Sequence, residues 1–404
     1  MPKFRLKNNV LEESRNRIKF VFDNFEKIYL SFSAGKDSTV MMHLAMDEAK
    51  KRNQKIGILI VDLEGQYKLT INHIEETIYE YKDYIDLYWV CLPIHLRNAV
   101  SVYEPFWMCW DDDKKEDWIR DLPKEAINDQ GFFPFFRKGM EFEEFVPEFG
   151  EWYSQGKTTA CLVGIRTDES LNRYRTIASD KKETYKSKQY TTKVTENVFN
   201  IYPIYDWTTK DIWIYHAKNP NKRYNKLYEL MHKAGLSIHQ QRICQPYGDD
   251  QRRGLWLFHL IEPETWARVV ARVNVANSGA LYVNESGAIN GYNKINKPKN
   301  HTWESFAKLF LNSVPEITKE HYLNKIYTYI KWWSVRGYPT IPDEAPYILE
   351  SKKLVPSWRR VCKSLLRNDF WCKGLGFSQQ KTTAYKKYLE FKKNKRKQEN
   401  ILNF

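Results

Sequence analysis

The sequence predicts an α/β protein with a doubly wound parallel sheet, followed by a mainly helical C-terminal region. In the first half of its 404 residues, short apolar runs alternate with stretches of helical periodicity. Nearly continuous apolar runs are typical of strands buried on both faces of a parallel sheet, and their alternation with helices favours βαβ units. We expect residues 1–218 to form this α/β domain and residues 219–404 to form a mainly helical domain.

Five strands are predicted from the apolar runs, at residues 27–30, 55–62, 85–92, 159–165 and 198–202. Helices are predicted at residues 11–24, 70–84, 223–234, 254–274, 321–335 and 355–369. Thr208 and Asp211 have the spacing of a helix cap and its support. Residues 277–300 are rich in Gly, Asn and Lys and predict a turn-rich loop or hairpin.

The connection between the third and fourth strands, residues 95–157, is too long for a structureless loop. We expect a helical insertion or lid near the ligand site. Its acidic triplet Asp111–Asp113 has two interpretations, a Mg²⁺ ligand set or a solvated turn.

The turn between the first strand and the next helix has the composition of an anion site. Small residues let the backbone approach an anion, and the free N–H groups and dipole of a helix start attract it. Lysine and serine side chains add donors. An ordinary βα turn rich in Ser and Gly is the alternative. The candidate binding residues are Ser31, Ser33, Ala34, Gly35, Lys36, Asp37 and Ser38.

Further candidates follow the second and fourth strands. Ligands of doubly wound sheets lie at the carboxyl ends of strands, where Asp62, Gly164 and Arg166 are expected. Arg166, Arg173 and Arg175 fall within ten residues and can hold an anion through bidentate hydrogen bonds. A surface helix with basic spacing is the alternative interpretation.

The composition is basic and aromatic. The net charge is +14, with 21 Phe, 14 Trp and 26 Tyr, which suits a polyanion with stackable bases. The tail at residues 381–399 carries eight Lys or Arg against two Glu, so it predicts either nucleic-acid contact or a solvated face. No apolar run approaches 18 residues and no signal peptide is evident, so we expect no membrane contact and a cytoplasmic location.

The turn resembles the S-x-G-K-D-S motif of the PP-loop ATP pyrophosphatases. The pattern G-x-R-x-x-E-S-x-x-R of phosphoadenosine-phosphosulfate (PAPS) reductases and FAD synthetases is matched by Gly164, Arg166, Glu169, Ser170 and Arg173. Residues 202–213, YPIYDWTTKDIW, resemble a third segment of these families. The resemblance implies an adenine nucleotide alpha hydrolase-like (HUP, Rossmann-like) fold that binds ATP with Mg²⁺. Such proteins typically split ATP between the α and β phosphates.

Residues 241–255 form a polar stretch around Cys244. Together with the pattern Trp107-x-x-Trp110, it resembles the IbrA-like branch of PAPS reductase-related proteins. Arg242 and Arg252 place positive charge near Cys244, which favours a thiolate and makes this cysteine a candidate nucleophile. The terminal E-C-G-L-H motif of PAPS reductases is absent, so thioredoxin-linked reduction is not expected. The spacings of the six cysteines fit neither a zinc site nor an iron–sulfur cluster.

These features lead to two expected functions. The first is an enzyme that cleaves ATP at the α–β bond and adenylylates an acceptor, such as a nucleic acid or a sulfur-bearing small molecule. The second is a nucleotide-sensing regulator without turnover, which acts through a protein partner or DNA. A sulfonucleotide reductase that uses Cys244 is a third alternative.

Each candidate residue has an expected role in the enzyme. Lys36, Ser33 and Ser38 hold the β and γ phosphates, and Asp37 binds the metal or orients Lys36. Asp62 contacts adenosine, while Arg166 and Arg173 bind phosphate or a substrate anion.

Overall fold

The computed structural model describes residues 7–249, 255–273 and 295–377. Its main sheet contains seven strands: β1 (Lys27–Ser31), β2 (Ile56–Val61), β3 (Ile85–Val90), β6 (Ala126–Ile127), β7 (Thr159–Leu162), β8 (Thr191–Lys193) and β9 (Val198–Ile201). The order is β6-β3-β2-β1-β7-β9-β8, and only the β8–β9 pair is antiparallel. The predicted doubly wound sheet and all five predicted strands are confirmed.

The centre of the sheet is its topological switch point. Tyr29 of β1 pairs with Gly57 of β2 on one side and with Cys161 of β7 on the other. The chain leaves β1 toward β2 and later returns to β7, so the connections diverge from β1. A crevice for a ligand forms at such a point, at the carboxyl ends of the strands.

Helices of the first part of the chain are α1 (Val10–Asn24), α2 (Lys36–Arg52), α3 (Lys68–Tyr81), α4 (Phe142–Ser154), α5 (Leu171–Ala178), α6 (Thr209–Lys218) and α7 (Leu227–Lys233). The predicted cap is confirmed, because Thr208 and Asp211 form a reciprocal capping box at the start of α6. Helix α2 is buried over most of its length, including Val40, Met41 and Leu44, and therefore lies in the core rather than at the surface.

The later helices are α8 (Trp256–Ile261), α9 (Pro263–Arg272), α10 (Trp303–Ser313), α11 (Glu316–Ser334), α12 (Tyr347–Ser351) and α13 (Trp358–Leu366). A single helix was predicted over residues 254–274, but two helices separate at Glu262, whose φ is −137° and ψ is 76°. The following Pro263 explains this break, since proline disfavours the helical conformation of the residue before it.

The expectation that residues 95–157 form a helical insertion or lid is wrong in part. They contain a hairpin of β4 (His95–Arg97) and β5 (Phe106–Met108), the edge strand β6, and one helix, α4. These strands have two or three residues, which is too short for a periodic signal. The hairpin contacts the C-terminal helices, because Asn368 donates to the carbonyls of Ala99 and Ser101 at 3.0 Å.

The acidic triplet forms a salt-bridged turn. Lys138 Nζ lies 3.2 Å from an Asp111 carboxylate oxygen and 2.7 Å from one of Asp113. Across the described ranges, no group of three or more His, Cys, Asp or Glu side chains is arranged to hold a metal ion. The solvated-turn interpretation of this triplet is therefore supported.

The described residues form two apolar cores. The first runs from Ile18 to Val273 and surrounds the sheet, and the second runs from Trp303 to Leu375. The predicted domain division at residue 218 stays a prediction, while the cores themselves separate between Val273 and Trp303. The basic tail at residues 381–399 and most of the predicted loop at 277–300 lie outside the described residues. None of the described helices is long and apolar enough to cross a membrane.

A buried ion pair joins three parts of the first core. Glu64 follows β2 and is fully buried, and its carboxylate accepts from Arg272 Nε of α9 at 2.7 Å. The same carboxylate accepts the backbone N–H groups of Trp110 at 2.7 Å and Ile119 at 3.1 Å, both in the insertion. Glu64 therefore ties the insertion and α9 to the carboxyl end of the sheet.

We predict that Arg272→Met destabilises the protein by about 3–5 kcal/mol, because it leaves the Glu64 charge buried without its counter-ion. Denaturant unfolding measures this. The control is Arg268→Met, an exposed arginine one turn earlier on α9. The double variant Glu64→Gln/Arg272→Met should recover most of the loss. Equal free energies of unfolding for Arg272→Met and Arg268→Met would contradict the role of Arg272 as the counter-ion of Glu64.

Candidate functional site

The predicted anion-binding turn lies at the switch point, between β1 and α2. Gly35 is the N-cap residue of α2, and Ala34 before it has a left-handed φ of +55°. This conformation costs a non-glycine residue about 1–2 kcal/mol. It is maintained by tertiary contacts, since Ala34 is completely buried and its carbonyl accepts from Asn225 Nδ2 at 3.2 Å.

The two predicted hydroxyl donors face each other across the turn. Ser33 Oγ lies 3.0 Å from Ser38 Oγ, and Ser38 Oγ donates to the carbonyl of Gly35 at 3.1 Å. Both serines flank the first turn of α2, where a helix leaves N–H groups without an intrahelical acceptor. The turn therefore combines hydroxyls and helix N–H groups in the way that anion binding requires.

Three charged side chains, buried Lys36 and Arg166 and half-buried Asp37, are linked by ion pairs at this turn. Lys36 Nζ lies 3.2 Å from Asp37 Oδ2, and Asp37 Oδ1 accepts from Arg166 Nε at 2.6 Å. Burial lowers the pKa of Lys36, Asp37 raises it, and the charges of Arg166 and Arg242 lower it further. Asp37 is therefore placed to orient Lys36, which is one of its two predicted roles.

Arg166 and Arg173 are held by carboxylates. Arg166 is 1% exposed and lies 3.4 Å from a Glu169 oxygen and 3.7 Å from an Asp168 oxygen, besides its contact with Asp37. Arg173 pairs with the other oxygen of Glu169. The predicted role of both arginines in binding phosphate stays a prediction, and for Arg166 it requires one of these partners to be displaced.

Gly164 makes the close approach of β7 to α2 possible. A Cβ atom at this position would lie 3.1 Å from the backbone nitrogen of Ser38 and 3.2 Å from its Cα. The chain leaving β7 thus lies directly against the first turn of α2. Gly164 is required here for packing, and its predicted contact with a nucleotide stays a prediction.

Asp62 lies at the end of β2, as expected, but its carboxylate has protein partners. It accepts from Trp89 Nε1 at 2.8 Å and from the backbone N–H of Glu64 at 3.0 Å, and it forms an ion pair with Arg120 of the insertion. These contacts give Asp62 a structural role. The predicted contact with adenosine stays a prediction.

Three further residues lie at the turn. Gln241 belongs to the polar stretch predicted at residues 241–255, whereas Asn225 and Tyr228 were missed from the sequence. The Tyr228 hydroxyl accepts from the backbone N–H of Lys36 at 3.0 Å, Gln241 O accepts from Lys36 Nζ at 3.5 Å, and Asn225 contacts Ala34 as described. No local pattern marks Asn225 or Tyr228, because their roles arise only when the chain after α6 folds over the turn.

Cys244 lies on the segment that crosses this edge of the sheet. A Cβ on Gly65, after β2, would lie 2.6 Å from Pro246 Cδ, so residues 241–247 extend from Lys36 to the end of β2. Cys244 is half-buried. Burial raises the pKa of Tyr67 and Tyr228, and Cys244 contributes to both shifts, so it lies near these two hydroxyls. The candidate nucleophile is thus close to the anion-binding turn.

Within the described ranges, the side chains around the turn do not form a metal site. Both carboxylate oxygens of Asp37 contact cations, Lys36 and Arg166, so this side chain does not fit the predicted role of Mg²⁺ ligand in this arrangement. Burial raises the pKa of the Cys161 and Cys362 thiols to about 12. Thiols in this state are poor metal ligands.

Fold and site together define a doubly wound α/β protein with a candidate anion-binding loop at the switch point of its sheet. The model described as "Phosphoadenosine phosphosulfate reductase domain" matches residues 27–234, just over half of the chain. This chain belongs to that family. A second model, "Domain of unknown function (DUF3440)", matches residues 235–345 and 338–386.

The chain is 43% identical over 403 residues to "Uncharacterized protein YbdN" of Escherichia coli (strain K12). The alignment covers 99% of this chain and 98% of that protein. Solved structures are more distant. A PAPS reductase from Candida auris, in a phosphate complex, is 12% identical with a TM-score of 0.28, over 57% of this chain and 95% of that one.

Two further structures match at similar levels. Candida glabrata FMN adenylyltransferase, in complex with FAD and inorganic pyrophosphate, is 16% identical with a TM-score of 0.32, over 56% of this chain and 64% of that one. The U34-tRNA thiolase NcsA of Methanococcus maripaludis, with its [4Fe-4S] cluster, is 11% identical with a TM-score of 0.31, over 72% and 91%. These scores are too low to support a conclusion.

We predict that Gly164→Ala destabilises the protein by about 1–3 kcal/mol, because the new methyl group must displace the first turn of α2. Thermal or denaturant unfolding measures the change. Gly131→Ala is the control, since a Cβ on that exposed glycine meets no atom closer than Asp129 Oδ1 at 3.4 Å. Similar effects of the two substitutions would contradict the packing role of Gly164.

Proposed function

We propose that this protein binds ATP, or a related adenine nucleotide, at the turn between β1 and α2, and cleaves it at the α–β bond to adenylylate an acceptor. The observation that carries this proposal is the buried Lys36 ammonium at the start of α2, beside two serine hydroxyls and the free N–H groups of the helix. Membership in the PAPS reductase domain family supports an adenine-containing ligand. Affiliation with the IbrA-like branch is part of this proposal.

The chemistry proposed for this site is a displacement at phosphorus. A nucleophilic oxygen of the acceptor bonds to the α-phosphorus, the bond from that phosphorus to the bridging oxygen breaks, and pyrophosphate leaves. Negative charge grows on the leaving pyrophosphate. Lys36 and the N–H groups of α2 stabilise that charge from fixed positions, and Ser33 and Ser38 orient the phosphates. Arg166 acts through Asp37, which fixes the direction of the Lys36 side chain.

We predict that Lys36→Met weakens ATP binding tenfold or more, since a hydrogen bond to a charged group contributes about 1.5–3 kcal/mol. Methionine keeps most of the buried volume. Lys51→Met, near the other end of α2 with a side chain 69% exposed, is the control and should leave binding unchanged. Calorimetric titration with and without Mg²⁺ measures affinity and tests whether the metal is required.

The pH dependence gives a second readout of the same group. Because the folded pKa of Lys36 is below its ordinary 10.5, its charge is lost as the pH rises through that lowered value. As the pH rises, the affinity of the wild type for ATP should therefore begin to decrease before pH 10.5 is reached. Lys36→Met should not show this decrease. Unchanged ATP affinity in folded Lys36→Met would overturn the proposed site.

A sulfonucleotide reductase that uses Cys244 is the second candidate. Cys244 lies near the turn, whereas Cys372 is buried, and burial raises the pKa of its thiol to about 12. We predict that the purified protein produces no sulfite from PAPS with thioredoxin, since the terminal cysteine motif is absent. Sulfite measurement checks this. Production that survives Cys372→Ser and disappears in Cys244→Ser would instead establish Cys244 as the nucleophile.

Pyrophosphate release separates the enzyme from a nucleotide-sensing regulator. An enzyme releases pyrophosphate from ATP when its acceptor is present, whereas a sensor binds ATP without turnover. Nucleic acid remains a proposed acceptor or partner, on the ground of the net charge of +14. A protein partner is the corresponding proposal for the regulator.

A further inference from the structure

The Tyr228 hydroxyl lies beside the first residue of α2 and the N-cap residue before it. It accepts the backbone N–H of Lys36 at 3.0 Å, and a Cβ on Gly35 would lie 3.4 Å from the same oxygen. A phenol also has one proton to donate. Among the residues that the structure describes, this hydroxyl donates no hydrogen bond.

Packing prevents the phenol from turning away. Tyr228 is 3% exposed, its ring meets Trp213 edge to face at 5.5 Å, and Lys36 Nζ lies 5.5 Å from its ring centroid. Asn225 anchors the start of α7, because its side chain accepts from the backbone N–H of Leu227 and donates to the carbonyl of Ala34. The hydroxyl is therefore fixed relative to the turn.

A buried hydroxyl proton without an acceptor costs free energy. An anion at the start of α2 relieves that cost by accepting the proton. Burial and the charge of Asp37 raise the pKa of Tyr228, so its hydroxyl keeps the proton at neutral pH. The Tyr228 hydroxyl accepts a hydrogen bond from the Lys36 N–H. This bond polarises the hydroxyl and makes it a stronger donor.

We propose that Tyr228 is a phosphate-binding residue, whose hydroxyl accepts from Lys36 N–H and donates to a phosphate oxygen of the ligand. Through these two hydrogen bonds, the hydroxyl connects the positive end of the α2 dipole to the ligand. The chain after α6 thereby supplies a direct contact to a site that is otherwise built from the turn after β1. This proposal rests on the anion site of the proposed function, but not on any cleavage of the ligand.

The test compares Tyr228→Phe with the wild type by calorimetric titration with two probes, ATP and inorganic pyrophosphate. We expect both to bind about tenfold more weakly, as for loss of one hydrogen bond to a charged group. Tyr224→Phe is the matched control, because Tyr224 also packs edge to face on Trp213, at 5.9 Å, while its hydroxyl donates to Glu229. That control should leave both affinities unchanged.

Two results for Tyr228→Phe would overturn the proposal. Unchanged affinity would show that the hydroxyl does not contact the ligand, and tighter binding would show that it competes with the ligand for Lys36 N–H. Thermal unfolding of each variant checks folding. As a measurement on an unmutated fold, 3-fluorotyrosine at position 228 should change its fluorine resonance when pyrophosphate saturates the protein, and an unchanged resonance would also overturn the proposal.

The two probes separate this inference from the proposed function. If the wild type binds pyrophosphate but not ATP, the proposed function fails, and the Tyr228 proposal is still decided by the pyrophosphate arm. If ATP binds normally to Tyr228→Phe, the inference fails and the proposed function stands. A wild type that binds neither probe would overturn both.

Discussion

The site depends on the ion pairs that run from buried Arg166 through half-buried Asp37 to buried Lys36. Arg166 follows β7, while Asp37 and Lys36 begin α2. Isolated charges are costly to bury. Burial therefore lowers the pKa of Lys36, and Asp37 beside it partly offsets this shift. Asp37 in turn is held by Arg166 at 2.6 Å. Removing any one member leaves the others incompletely paired, so the turn, the helix and β7 are coupled electrostatically.

This pairing also determines what a ligand encounters. An anion that approaches Lys36 meets an ammonium group that already pairs with Asp37. The free energy of binding this anion therefore includes the cost of weakening the Lys36–Asp37 ion pair. The hydroxyls of Ser33 and Ser38 and the first N–H groups of α2 carry no such competing carboxylate. They supply contacts that a phosphate gains without breaking an ion pair, and the helix dipole favours them further.

Sequence patterns predicted the fold where the signal was long and local. The central strands were found because each is a nearly continuous apolar run, whereas β6 and β8, with two and three residues, were not. The turn around Lys36 was found because its residues are contiguous. Tyr228 was not, since the atom it contacts lies 192 positions away and no spacing marks that contact. Asp62 was placed correctly at the end of β2, but its partners Trp89 and Arg120, 27 and 58 residues away, are set by the tertiary fold.

The acidic residues after β2 show how the rest of the chain serves the site. Asp62 and Glu64 lie at the edge of the sheet where an anionic ligand is proposed, and unpaired carboxylates there would repel it. Each is instead paired with an arginine from elsewhere, Asp62 with Arg120 of the insertion and Glu64 with Arg272 of α9. The insertion and α9 therefore do more than extend the core. By neutralising this edge they leave the field near Lys36 favourable to a phosphate, which links the packing of distant segments to binding at the turn.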